Sequence, residues 1–252
     1  MRLLAFDTST DTMSIAVGRT VEGETRVWQR TGAGGAQASA RLIPVILDLM
    51  AQAGLAFTDL DAIAFGRGPG AFTGLRTACS VAQGLGFGAQ RTNGGGPVPL
   101  LPVDTLQTLA EEARHQYAPG GTPLRVLSVL DARMDQIYAA AYAFDGRHWT
   151  QHGDYLLERP EGLSGQFAWL TPGGLLAGNV FSVYGDRLAH GAELARIDAL
   201  PTASAMLRLA PALLAAHHAV SPELALPLYI RDKVAQTSRE RAAAKAASPP
   251  PI

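Results

Sequence analysis

Two polar turns carry residue types that could do chemistry. Asp7-Thr8-Ser9-Thr10 follows the apolar run Leu3 to Phe6 and precedes a second one, Met13 to Gly18. At the tip of such a hairpin, amides and hydroxyls can cradle a phosphate, and an aspartate can hold a metal through water. Asp131-Ala132-Arg133 occupies the equivalent place between Leu124 to Leu130 and Gln136 to Phe144. One turn in each half points to a cleft between paired lobes, although strand ends are commonly polar for solvation alone.

Gly66-Arg67-Gly68-Pro69-Gly70-Ala71 formally satisfies G-x-G-x-x-A, and its backbone amides could hold a phosphate. A dinucleotide site also wants an acid about 20 residues further on. The stretch from Gly84 to Val103 contains no carboxylate, and the same glycines read equally as a tight turn bent by Pro69. Only two lysines occur, Lys233 and Lys245, and neither follows a glycine turn, so a phosphate loop ending in G-K-[ST] is excluded. Adjacent His217 and His218 project about 100 degrees apart on a helix and share a metal poorly. His148 and His152 have four-residue spacing but lie in strand-like sequence beside Asp145-Gly146. No H-E-x-x-H or G-x-S-x-G pattern supports a zinc hydrolase or a serine hydrolase.

The elements that must position these residues follow from periodicity. Strands are expected at Leu3 to Phe6, Met13 to Gly18, Thr25 to Gln29, Asp61 to Phe65 and Val98 to Val103, with flexible glycines at Gly32 to Gly35. Leu42, Ile46, Leu49 and Ala53 repeat at helical spacing, with Pro44 near the helix start and Gly54 closing it. Thr73 to Leu85 reads as a helix dominated by small residues, which admits close backbone approach but supplies little autonomous stability. Asp104 with Gln107 forms a capping pair for a helix running to Tyr117. Strand pairs at Leu124 to Leu130, Gln136 to Phe144 and His148 to Leu157 begin the second half. A short strand at Leu175 to Ala177 and helices at Val180 to Ala189 and Ala203 to His218 complete it. Three segments result: a first α/β lobe over 1–103 onto which helix 203–218 packs back, a second α/β lobe over 104–202, and a disordered polar tail over 236–252.

Composition narrows the function classes. The chain has 252 residues, 47% hydrophobic and 17% charged, enough for a sizeable core. Its formal charge of -1 announces no global basic field for nucleic acid. No apolar run reaches membrane-spanning length, and Asp7 ends the apolar start too early for a signal sequence. One cysteine, Cys79, rules out an intrachain disulfide and a cysteine-cage zinc site and fits a reducing compartment, so cytoplasm is expected.

Taken together, Leu4 to Thr10, the stretch Gly66-Arg67-Gly68-Pro69-Gly70-Ala71-Phe72-Thr73-Gly74-Leu75-Arg76, Leu130 to Arg133 and Pro227-Leu228-Tyr229-Ile230-Arg231 resemble the TsaB family, formerly YeaZ, of bacterial tRNA threonylcarbamoyladenosine biosynthesis proteins. The resemblance runs over residues 1–234 and implies an actin-like ATPase, ribonuclease-H-like fold: two lobes with mixed β-sheets flanked by helices. It also implies a non-catalytic subunit that supports a catalytic paralogue, TsaD, together with the ATPase TsaE, at the adenosine beside the tRNA anticodon. The paralogue carries an H-x-x-x-H metal pair where this chain reads Asp104-Thr105-Leu106-Gln107-Thr108-Leu109, so no metal site and no catalytic residue are expected here.

Partner contacts are then expected on Val45, Leu49, Phe72, Thr73, Arg76, Ser80 and Gly84, with a homodimer through the same patch when the chain is alone. Asp7, Thr8, Ser9, Thr10, Asp131 and Arg133 would form a vestigial phosphate site. No cofactor is expected to be tightly bound, a nucleotide would sit at the complex interface, and tRNA would be met through the complex. The alternative is a nucleotide-dependent enzyme of the same superfamily using Asp7, Thr10 and Asp131. Ala71 stands where the family often has serine, Gln37 to Ala40 replace a frequent histidine-serine pair, and Arg91 to Pro97 form a glycine-rich loop with no assigned role.

Overall fold

A computed structural model describes residues 1–91, 95–170, 173–185, 187–188 and 194–231. The expected disordered tail and part of the glycine-rich loop lie outside the described residues.

The first sheet is built from β1 (Arg2–Asp7), β2 (Thr12–Val21), β3 (Glu24–Ala33), β4 (Ala62–Gly68) and β5 (Leu100–Asp104) in the order β3-β2-β1-β4-β5. β1 pairs antiparallel with β2, setting Asp7 opposite Ser14, and parallel with β4. Alternation along these strands sorts side chains by size. Leu4, Phe6, Ile15, Ile63 and Phe65 face one side and Leu3, Ala5, Ala16, Ala62 and Ala64 the other. On the bulky side lie α1 (Ala38–Ala53) and α2 (Phe72–Gly88). The alanine side admits Met206 and Leu209 of a late helix, α6 (Ala203–Ala215), which returns from the second half to cover β1.

The second sheet repeats this plan. β6 (Leu124–Arg133), β7 (Gln136–Phe144), β8 (Trp149–Glu158), β9 (Leu175–Gly178) and β10 (Ala195–Asp198) run in the order β10-β9-β6-β7-β8. Again the first strand is central, antiparallel to the next in sequence and parallel to the fourth. Duplicated mixed sheets with flanking helices are the actin-like, ribonuclease-H-like architecture. α3 (Thr105–Tyr117) lies between the sheets, and the short α4 (Ser164–Leu170) and α5 (Phe181–Tyr184) cover the second one.

Several sequence expectations shift. α1 begins at Ala38, so Pro44 is inside the helix and not near its start. β3 continues through Gly32 and Ala33, which pair with Met13 and Thr12 and so are not a loose linker. Asp104 caps α3 by accepting from Leu106 N at 3.2 Å, while Gln107 makes no reciprocal bond among the described residues. Of the helix expected over Val180 to Ala189, Phe181–Tyr184 is α-helical and Gly185, Arg187 and Leu188 are in 3-10 conformation, residues 186 and 189 lying outside the described residues; β10 is too short to show a period in sequence. No helix among the described residues is long and apolar enough to cross a membrane.

Candidate functional site

The β1–β2 turn is organised from within. Asp7 is fully buried, and its Oδ1 accepts from Ser9 N at 2.8 Å and Ser9 Oγ at 2.6 Å. Its Oδ2 has no hydrogen-bond partner and faces Gly66, where a Cβ would collide with it. Burial pushes the Asp7 carboxyl up to about 6, against the pull of the two Ser9 bonds. Thr8 is buried as well, and its hydroxyl donates to Gly74 O at 2.7 Å. The hydroxyls of Thr8 and Ser9, expected to be available for phosphate, therefore serve the protein's own turn, because α2 packs backbone to backbone against it. Only Ser9 and Thr10 of this stretch reach the cleft.

On the other lobe, Asp131 Oδ1 accepts from Arg133 N at 2.8 Å and from Tyr184 OH at 2.9 Å, and Asp131 N donates to Asn179 Oδ1 at 2.9 Å. The turn that follows has three successive left-handed residues without glycine: Arg133, Met134 and Asp135 at φ 61, 55 and 61. Such backbone costs roughly 1–2 kcal/mol per residue and persists where surroundings hold it. Arg133 reaches across to pair with Asp11 of the first lobe, while Arg187 pairs with Asp135. Between the two turns lies the anticipated cleft, about 310 Å³.

The rest of its wall was not assigned from sequence. After α6 the chain crosses back over α2: Leu228 N donates to Arg67 O at 2.7 Å, and the Tyr229 ring lies 5.2 Å from that of Phe72. Arg76 stands 3.9 Å over the Phe72 ring and donates from Nε to Tyr229 OH at 3.1 Å. Arg231 donates to Ala132 O at 3.0 Å and to Gln136 Oε1 at 2.8 Å. No local signal announces these partners.

At the head of α3, Asp104 is buried between the lobes, where Tyr155 OH donates to it and Arg67 Nη2 lies 3.6 Å away. Burial raises its carboxyl above the ordinary range despite these partners. Among the described residues no three His, Cys, Asp or Glu side chains converge as a metal site requires.

The outward face of the first lobe separates the expected contact residues. Thr73, Arg76, Ser80 and Gly84 are exposed on one stripe of α2, and Phe72 is half-buried beside Tyr229. Val45 is half-buried against the core. Leu49 is only 2% exposed and does not belong to this face: three residues after Ile46, it points with it into the core. The apolar residues that do face outward are Ile43 and Leu47 of α1 and Phe87 of α2, 44%, 52% and 52% exposed. Extending the helical period from Ile43 to Leu47 would have found the first two.

Comparison with known proteins places the chain among relatives. The family model described as "TsaD: tRNA N6-adenosine threonylcarbamoyltransferase" matches residues 35–166. The curated protein "tRNA threonylcarbamoyladenosine biosynthesis protein TsaB" of Escherichia coli K12 is 33% identical over 246 residues, covering 93% of this chain and 96% of that one. The Haemophilus influenzae protein of the same description is 30% identical over 250 residues, covering 93% and 95%. Among solved structures, "YeaZ from Pseudomonas aeruginosa" superposes with a TM-score of 0.74 at 35% identity, covering 91% of this chain and 99% of that one.

Proposed function

Because the chain belongs to the TsaB family of tRNA threonylcarbamoyladenosine biosynthesis proteins, we propose that it supports formation of that tRNA modification as a non-catalytic subunit, docking on the catalytic paralogue TsaD together with TsaE.

The observation that carries this reading is the outer stripe of α2. Thr73, Arg76, Ser80, Gly84 and Phe87 recur at helical spacing on the exposed side, flanked by exposed Ile43 and Leu47 of α1. A Cβ built on Gly84 meets nothing within 4 Å, so small side chains leave the helix backbone open to a neighbouring helix. Apolar rims around a small-residue groove let side chains of the partner interdigitate at short interaxial distance. A homodimer through the same stripe is the expected state when the partner is missing.

The head of α3 supports the non-catalytic part. There Asp104 is engaged by Tyr155, Arg67 and Leu106 N, and Thr108 Oγ1 donates to Asp104 O at 2.8 Å. These polar atoms join the lobes and cap a helix, in the place where the family resemblance puts metal-binding imidazoles in the catalytic paralogue. In this reading no nucleotide is tightly held by the chain alone, one binds at the boundary with the partner, tRNA is met through the complex, and the protein works in the cytoplasm.

Reconstituted tRNA modification, run with and without this chain at a constant level of the catalytic paralogue and TsaE, tests the proposal. Formation that depends on the chain is the expected result. Equal formation in its absence, or transfer from threonylcarbamoyl-adenylate by this chain alone, would overturn it.

A further inference from the structure

The extended segment Leu226–Arg231 touches both lobes within a few residues. On the first lobe Leu228 N is bonded to Arg67 O, and Tyr229 is stacked on Phe72 and bonded to Arg76. On the second lobe Arg231 grips Ala132 O and Gln136 Oε1, on either side of the left-handed turn Arg133–Asp135. Between these anchorages the segment forms a wall of the inter-lobe cleft.

We propose that this segment is a clasp that sets the opening between the lobes and transmits what happens at the Phe72–Arg76 corner to the β6–β7 turn. A single residue, Ile230, separates Tyr229 from Arg231. An extended residue spans only about 3.3–3.6 Å, so a backbone shift of several ångströms at one anchorage pulls on the other. The turn it grips stores backbone strain, because three successive side-chain-bearing residues are left-handed, and such strain is held only as long as its restraints are. A protein helix that draws Phe72 or Arg76 away from Tyr229 therefore loosens a turn on the opposite lobe. By reciprocity, whatever tightens that turn favours the clasped form and competes with docking at the corner. The relay rests on α2 being a docking helix; the clasp itself does not.

Hydrogen exchange on the full chain, read at the backbone amides of Asp131 to Gln136, tests the clasp in wild type, Tyr229→Ala and Tyr229→Phe. The bonded and stacked partners of Tyr229 lie on the other lobe. Tyr229→Ala is nevertheless expected to speed exchange at these amides about five-fold, the effect of losing one aromatic pair. Tyr229→Phe should give a smaller rise at the same amides, and exchange in β1 and in the Leu124–Leu130 part of β6 should be unchanged in both. Identical exchange at the turn in all three proteins overturns the clasp, and if the alanine variant unfolds, the phenylalanine variant decides. Added catalytic paralogue should speed exchange at the same amides of the wild type. Binding with no change there overturns the relay. Absence of binding overturns the docking reading and the relay with it, while the clasp stands or falls on the Tyr229 variants.

Discussion

Thr8 and Gly74 join the first turn to α2 by direct contact: the Thr8 hydroxyl donates to Gly74 O at 2.7 Å, and a Cβ on Gly74 would collide with Thr8 O. The obstacle is backbone, which cannot swing aside as a side chain can. Gly74→Ala gains helix propensity, but overpacking of this kind costs about 1–3 kcal/mol and outweighs it. A lower urea midpoint with an unchanged m-value is the expected outcome. A midpoint equal to wild type would mean that α2 slides freely on the turn.

Asp7 should make stability fall as pH rises. Its folded carboxyl titrates at about 6 against an ordinary value of 3.8, so the folded state holds the proton more tightly than the unfolded one. Below the ordinary value both states are protonated and there is no penalty; above about 6 both are ionised and the full penalty applies. From a shift of this size the loss is about 3 kcal/mol. Unfolding of wild type and Asp7→Asn, compared from pH 4 to pH 7, should show the wild type losing ground relative to the variant across that window, roughly in proportion to ionisation. A constant difference would place the Asp7 carboxyl in water.

Leu47 and Leu49 lie two residues apart on α1 and should behave oppositely. Leu49→Ala opens a cavity in the core and costs about 2–5 kcal/mol. Leu47→Ala, at 52% exposure, changes stability by no more than about 0.5 kcal/mol. Affinity for the catalytic paralogue, measured by titration calorimetry, should fall with Leu47→Ala. A Leu47 effect on stability as large as that of Leu49 would contradict the outward orientation of this stripe.

Ser80→Arg and Gly84→Arg both put bulk on the open side of α2. Association with the partner should weaken by at least about tenfold while the thermal midpoint stays within a few degrees of wild type. Wild-type affinity in both variants would remove this stripe from the interface.

Glu111 is the keystone of a network below α3 and α6. Its oxygens accept from Arg114 at 2.8 and 2.9 Å, from Arg208 at 2.8 Å and from Trp149 Nε1 at 3.1 Å. Burial pushes its carboxyl up, but the bonds from Arg114, Trp149 and Arg208 together bring it below the ordinary range. The stability this contributes is present above the unfolded carboxylate range and is lost as pH falls through the folded value. Glu111→Ala leaves the buried Arg114 guanidinium without its carboxylate, while Arg208 keeps Glu112 at 2.8 Å, and should cost about 3–5 kcal/mol at neutral pH. A loss under about 1 kcal/mol in chemical denaturation would show that water takes over the arginines.

Local chemistry alone determined most of the strands, the long helices, the small-residue surface of α2 and the polar turns at Asp7 and Asp131. Alternation, helical period and turn composition act over a few residues and are written in neighbouring positions. Only the tertiary structure decided that Thr8 and Ser9 bond inward, that Leu49 lies in the core, that Tyr155 closes on Asp104 from 51 residues away and that Tyr229 meets Arg76 across 153. Those outcomes depend on which surfaces of two lobes face each other. A polar group or leucine reads the same in sequence whether water or another strand covers it, so its role appears only when packing selects its neighbours.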